Sequence, residues 1–136
     1  MENEMVRPAQ IVQGIVSAIL LFLGLRYMIT PDAVHSITNL TADNGFGQSN
    51  IRAMGAPLIM LAIVGAIGAV KAEFAFSVPL PVYFLALIVT RIVTLAIDGS
   101  SPGVIKALII AIVFFAATEF SAQVFKKAGR KKAVTE

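Results

Sequence analysis

The chain has 136 residues, of which 57 % are hydrophobic and only 14 % are charged, and its mean hydropathy is +0.85. This length suits one domain, and the composition excludes an ordinary water-soluble one, because soluble domains carry about 25 % charged residues. The absence of cysteine and the single histidine exclude disulfides, thiolate catalysis and multi-histidine metal or haem sites. We therefore expect no cofactor and no metal.

Four apolar segments predict an all-α integral membrane four-helix bundle. A helix needs roughly 20 mostly apolar residues to cross a hydrocarbon core of about 30 Å. The predicted spans are about 9–28, 53–71, 79–97 and 104–125, and a basic tail follows at 126–136. The first span follows an acidic segment and precedes no small-residue cleavage site, so we interpret it as a retained helix rather than a signal peptide.

The distribution of basic residues predicts how the chain is oriented. Lysine and arginine concentrate in cytoplasmic segments of membrane proteins, and the C-terminal tail holds five of them. An even number of spans then places both termini in the cytoplasm of a multi-pass inner-membrane protein, with the link around Lys71 on the same side. The loops 29–52 and 98–103 face outward. The pI near 9.5 comes mostly from this tail, so we expect lipid and not nucleic acid as its partner.

Small residues predict close helix packing in the bundle. Where lipid surrounds the helices, backbones approach one another through glycine and alanine. On the second span such residues recur at spacings of three and four, namely Ala62, Gly65, Ala66, Gly68, Ala69 and Ala72. Gly14 and Ala18 give the first span a weaker version of the pattern. Pro57 lies in the first turns of its helix, and Pro79 opens the third helix, where few backbone bonds are lost.

Arg91 lies inside the third span, where an unpaired charge costs a few kcal/mol. Asp98 follows seven residues later, almost two helical turns, so the two side chains share a helix face about 10 Å apart along the axis. Arg26 ends the first span and Arg52 begins the second, so three arginines lie near the outward end of the bundle.

The first outward loop adds further polar groups. The "DNG" at 43–45 predicts a turn, and Ser49 or Asn50 is the predicted cap of the second helix. We expect a polar cluster that either holds the bundle together or binds an anionic group, and its members are Arg26, Asp43, Asn44, Arg52, Arg91 and Asp98. Within it Arg91 would be neutralised by Asp98 or by Asp43. The alternative is that Arg26 and Arg52 extend to lipid headgroups and only Arg91 has a protein partner.

A second polar group is predicted on the cytoplasmic side of the bundle. Glu119 lies in the fourth span at a depth similar to that of Gln13, and Gln123 lies one turn further along. Either the Glu119 carboxylate reaches the interface or the lysines of the tail, or it is buried near amides and handles protons.

Three segments of the chain resemble a known family. They are "LRYMITPDAV" at 25–34, "LTADNGFGQSNIRAMGAPL" at 40–58 and "TRIVTLAIDG" at 90–99. In this order they are similar to a bacterial family of small four-helix membrane proteins of unknown function, distantly DoxX-like in layout. The resemblance implies the fold and no activity, and it marks Asp43, Asn44, Gly45, Arg52, Arg91, Asp98 and Gly99.

No nucleotide-binding, metalloprotease or catalytic-triad motif occurs in the chain. We therefore expect a non-enzymatic integral membrane protein, a structural or accessory component of the inner membrane. Its partners would be the bilayer and either another membrane protein or a second copy of the chain. The alternative is a binder or carrier of a small anionic or lipid-like ligand that uses the outward-facing arginines.

Overall fold

The computed structural model describes residues 2–38 and 44–135, and within them every regular element is a helix. These helices are α1 (Glu2–Ile29), α2 (Pro31–Thr38), α3 (Gly45–Ala53), α4 (Gly55–Lys71), α5 (Phe74–Ser77), α6 (Pro79–Ile97) and α7 (Pro102–Thr135). Among the described residues, four segments are long and apolar enough to cross a membrane, namely Glu4–Ile29, Gly45–Lys71, Phe74–Ile97 and Pro102–Lys131. The predicted all-α four-helix bundle is thus confirmed, and the chain has the architecture of a multi-pass membrane protein.

The predicted spans differ from the helices mainly at their polar ends. The third span matches α6 residue for residue, but α1 begins at Glu2 and α7 continues to Thr135. The basic segment is therefore helical from 126 to 135. Hydropathy reports where a helix enters lipid and not where it ends, since lysine, arginine and alanine are good helix formers in water.

The start of the second span is also different from the prediction. Asn44 is the N-cap of α3, and its side chain accepts a hydrogen bond from the Gly47 backbone N–H at 2.8 Å. The predicted caps, Ser49 and Asn50, lie inside α3, so that prediction is wrong. Asn44 has φ of −149°, the extended backbone usual at an N-cap, and satisfies an early N–H of the helix. The predicted turn is therefore a helix start.

Contacts between helices place both chain termini at one end of the bundle, which we call the terminal end. Gln10 Nε2 of α1 donates to the Ala69 carbonyl near the end of α4 at 2.8 Å, and Ser121 Oγ of α7 donates to the Ala9 carbonyl at 3.0 Å. At the opposite end, the loop end, Gly24 of α1 lies against Gly55 at the start of α4. Helix α1 is thus antiparallel to both α4 and α7.

The core lies between α1, α4 and the start of α6. Its buried side chains are Val16, Leu20, Leu61, Ala62, Leu80 and Phe84. Phe84 stacks on Phe114 of α7 with the ring centroids 5.2 Å apart, which joins α6 to α7.

Two glycines of α4 fit tightly against α1, as predicted. A Cβ on Gly65 would lie 2.5 Å from Ser17 Oγ, and one on Gly68 would lie 2.7 Å from Gln13 Nε2. Gly14 differs, because a Cβ there would meet no atom within 4 Å, so its predicted packing role is wrong. The helical period turns Gly14 away from α4.

Candidate functional site

A buried group of polar residues, which we call the Gln13 junction, joins α1, α4 and α5 near the terminal end. Gln13 is 0 % exposed, and its Nε2 donates to the Gly65 carbonyl and to Ser77 Oγ, each at 2.9 Å. Ser77 is also fully buried, and its hydroxyl donates to the Glu73 carbonyl at 3.0 Å. Hydrogen bonds between helices are worth roughly 0.6 to 2 kcal/mol each in a membrane. The junction therefore ties three helices together.

The chain reversal after α4 brings Ser77 into this junction. Ala72 ends α4 with φ of 51° and ψ of 42°, a left-handed conformation, and its N–H and that of Glu73 close the last turn. The short helix α5 then returns along α4, where Gly68 leaves room for Gln13 and Ser77. Two buried atoms, Gln13 Oε1 and Ser17 Oγ, have no hydrogen-bond partner among the described residues.

Glu119 occupies a different setting from Gln13. It is half-buried on α7, and its Oε1 accepts a hydrogen bond of 2.6 Å from Gln123 Nε2. Among the described residues it forms no ion pair with the lysines that follow. Within that part of the chain, no three histidine, aspartate or glutamate side chains form a group that could hold a metal ion.

At the loop end, the predicted arginines have unlike surroundings. The Arg26 guanidinium lies 5.8 Å from the centroid of the Phe22 ring, and its buried Nε has no hydrogen-bond partner in the described residues. Arg52 is exposed. Asn44 caps α3 as described above, and Asp43 lies outside the described residues.

The predicted pair between Arg91 and Asp98 does not form. Arg91 is half-buried on α6, whereas Asp98 is exposed at the C-cap of this helix, where its backbone N–H bonds to the Thr94 carbonyl at 2.8 Å. Within the described residues no ion pair joins the two side chains. The reason is geometric, because seven residues separate the two groups by about 10 Å along the axis.

The sequence reasoning missed Tyr83, a half-buried tyrosine on the same helix as Arg91. Tyr83 lies within electrostatic reach of both Tyr27 and Arg91, and its ring makes an edge-to-face contact with Phe84 at 5.4 Å. A signal for this group was present, since Tyr83 and Arg91 are eight residues apart, slightly more than two turns of one helix. The surroundings of Tyr83 therefore include both a second phenol and a guanidinium at electrostatic range.

The sequence reasoning also missed the hydrogen bonds of Gln10, Ser77 and Ser121. The signal for Gln10 and Gln13 is their spacing of three within an apolar helix, which puts both amides on one face. For Ser77 and Ser121 nothing in the local pattern indicates a partner on a distant helix.

A wide basic groove of about 1700 Å³ opens at the terminal end between the start of α1, the α4–α5 turn and the extended α7. Its described lining holds six cations, namely Arg7, Lys71, Lys126, Lys127, Arg130 and Lys131. Two of them lie over aromatic rings: Lys71 Nζ is 5.6 Å from the Phe76 centroid and Lys126 Nζ is 5.3 Å from that of Phe74. The continuation of α7 past residue 126 gathers these charges on one surface.

Comparison of the chain with protein-family models, with curated proteins and with solved structures gives no match.

Proposed function

We propose that this protein is a non-enzymatic structural or accessory component of the inner membrane. The observation that supports this most is the Gln13 junction, because its fully buried polar side chains bond to the main chain and the hydroxyl of neighbouring helices. Polar groups placed in this way stabilise helix packing. They give a rigid bundle whose outer surface is left for contact with lipid and with other membrane helices.

The orientation within this proposal has both termini in the cytoplasm. Its support is the charge at the terminal end, where the extended α7 and the α4–α5 turn carry the basic residues of the groove. Such residues concentrate on the cytoplasmic side of membrane proteins. The loop end, with α2 and α3, then faces outward.

The surface proposed for a partner lies on α6 and α7. In the most apolar window of each span, 33 % of residues are buried in the first two spans but only 17 % and 11 % in the last two. Ala86 and Thr90 are exposed on α6 at a spacing of four, so a second backbone would have room to approach. The partner would be another membrane protein or a second copy of the chain.

Site-specific photo-crosslinking in native membranes tests this role. A photoreactive residue at Thr90, which is exposed, should give one discrete protein adduct, whereas the same residue at Leu80, which is 0 % exposed, should give none. The proposal is overturned if Thr90 gives lipid adducts alone.

A second candidate function is binding of a small anionic ligand at the loop end. The observation that favours it is the buried Arg26 Nε, which lacks a hydrogen-bond partner among the described residues. The resemblance to the DoxX-like layout stays part of this proposal, because it marks Arg52, Arg91 and Asp98 in the same region.

We expect a carboxylate or phosphate that stabilises the purified protein to lose its effect in Arg26→Gln. The control Lys127→Gln, which changes an exposed cation at the terminal end, should retain it. Equal stabilisation of both variants would contradict this function.

A further inference from the structure

Next to the basic groove lies a second, apolar groove between the α5–α6 segment and α7. The apolar groove has a volume of about 240 Å³. Phe74 and Gln123 line both grooves, so the two grooves are adjacent. The remaining lining of the apolar groove is Val78, Pro81, Val82, Leu85, Phe115, Glu119 and Ala122. The surface therefore changes from charged to apolar along a single path.

The charge of the basic groove selects an anion. Six cations face one carboxylate, Glu73, on its described lining. Lys71 and Lys126 lie over aromatic rings, and in the described part of the chain neither forms an ion pair. Basic pockets beside membrane helices bind the headgroups of anionic lipids. A cluster of cations at this position thus complements a phosphate group at the membrane surface.

The length of the path fits one leaflet of the bilayer. From Phe74 to Leu85 the chain rises by eleven residues, or roughly 16 Å. This is close to half of a hydrocarbon core of about 30 Å. A free phosphate would use only the charged part of this path, whereas a phospholipid uses its whole length.

The boundary between the two grooves holds polar, hydrogen-bonding groups. Gln123 lines both grooves, and its amide Nε2 donates a hydrogen bond of 2.6 Å to the Glu119 carboxylate. These groups stand between the cations and the apolar lining, at the level where a phospholipid carries its glycerol and ester oxygens. From the basic groove to the apolar groove the lining is first charged, then polar and then apolar. A phospholipid has the same order of parts from its headgroup to its acyl chains.

We propose that the basic groove binds the headgroup of an anionic phospholipid and that the apolar groove between α6 and α7 holds one of its acyl chains. The site is separate from the loop-end arginines. It would hold a lipid of the leaflet that surrounds the terminal end.

The direct test compares three additions to the purified full-length protein in detergent: phosphatidylglycerol, phosphatidylcholine and inorganic phosphate. Native mass spectrometry measures lipid retained, and circular dichroism measures the melting temperature. We expect phosphatidylglycerol alone to be retained and to raise the melting temperature. If phosphatidylcholine is retained equally, the groove holds ordinary boundary lipid, and if phosphate stabilises as well as phosphatidylglycerol, the ligand is a free anion. Either result overturns the proposal.

Variants separate the headgroup contact from the acyl-chain contact. Changing Lys126, Lys127 and Arg130 together to glutamine should weaken phosphatidylglycerol binding about a hundredfold, since each cation near a membrane surface contributes about fivefold. The control Lys106→Gln removes one exposed cation outside the groove and should leave binding unchanged. Equal binding by the triple variant and the wild type would contradict the headgroup assignment.

For the acyl chain, Val82→Trp fills the apolar groove, and Val89→Trp is its matched control outside the groove on the same helix. The two valines are 59 % and 53 % exposed, so neither change disturbs the core. Val82→Trp should reduce retained phosphatidylglycerol several-fold, and Val89→Trp should not. If both variants retain the lipid as the wild type does, the acyl chain does not occupy this groove and the proposal fails.

Discussion

Glycines in this bundle have different roles according to what lies beside them. Gly68 is close-packed, because a Cβ there would lie 2.7 Å from both Gln13 Nε2 and Ser77 Oγ and 3.1 Å from the carbonyl carbon of Phe76. Gly14 has open space within 4 Å. The sequence marks both as small residues of apolar helices. Only the facing helix distinguishes them.

We predict that Gly68→Ala lowers the free energy of unfolding by about 1–3 kcal/mol, since the added methyl displaces the Gln13 and Ser77 side chains and meets the backbone. Gly14→Ala, the matched control, should leave stability unchanged or raise it by up to about 1 kcal/mol through helix propensity. Unfolding in mixed micelles, followed by circular dichroism, measures both. Equal effects of the two changes would mean that α4 does not pack against Gln13 at Gly68.

The hydrogen bond between Gln13 and Ser77 is the basis of a second prediction. In a double-mutant cycle with Gln13→Leu and Ser77→Ala, the coupling energy should be about 0.6 kcal/mol, with an upper limit near 1.7 kcal/mol. After either single change the remaining partner keeps one hydrogen bond, from Ser77 to the Glu73 carbonyl or from Gln13 to the Gly65 carbonyl. A coupling energy of zero would show that the two side chains act independently.

Ala72 leads to a third prediction, which concerns backbone strain. Its φ of 51° places a non-glycine residue in the left-handed region, which costs roughly 1–2 kcal/mol. Ala72→Gly should therefore raise the free energy of unfolding by about 1 kcal/mol. The same change at Ala116, an exposed position inside α7, should lower it by about 1 kcal/mol. Thermal unfolding of the two variants measures the sign of each change in the free energy of unfolding. A loss of stability in Ala72→Gly would contradict the turn geometry.

At the level of residues, the sequence predicted single polar groups but not the hydrogen-bond partners that distant helices supply. The sequence identified Gln13 as a polar group in an apolar span, but it did not indicate Ser77, which reaches Gln13 through the turn at Ala72 and the short helix α5. Asp43, part of the predicted polar cluster, lies outside the described residues.

At the scale of the element, α6 was predicted most closely because both of its ends carry clear signals. Pro79 opens the helix, and Asp98 with the positive-φ Gly99 closes it. Helix α7 has no such stop after its apolar part, so it continues through the basic segment. Helices α2, α3 and α5 are short, and hydropathy does not detect them.

Helix α6 also gives a fourth prediction, about Arg91 and Asp98. Since no ion pair joins them in the described residues, a double-mutant cycle with Arg91→Leu and Asp98→Ala should give a coupling energy within about 0.3 kcal/mol of zero. Asp98→Ala alone should cost little, because this side chain is exposed. A coupling energy near 1 kcal/mol or above, measured by unfolding in micelles, would show that the pair forms.

At the scale of the whole molecule, the fold followed from composition and span length, because four apolar segments in 136 residues leave a membrane bundle as the stable arrangement. The basic groove could not be predicted from composition and span length, since it depends on the helical continuation of α7 past residue 126 and on the α4–α5 turn. Charge counting located the cations, but their common surface comes from tertiary structure.

The central proposal is that four spans place both termini together, at the cytoplasmic end of the bundle. The chain has no cysteine, so single-cysteine variants with a membrane-impermeant maleimide report one exposed position each. In spheroplasts, Ser49→Cys and Ser100→Cys should be labelled at once, whereas Glu73→Cys and Val134→Cys should be labelled only after lysis. Leu80→Cys, in the core, should resist labelling in both. Labelling of Glu73→Cys or Val134→Cys in intact spheroplasts would contradict the account.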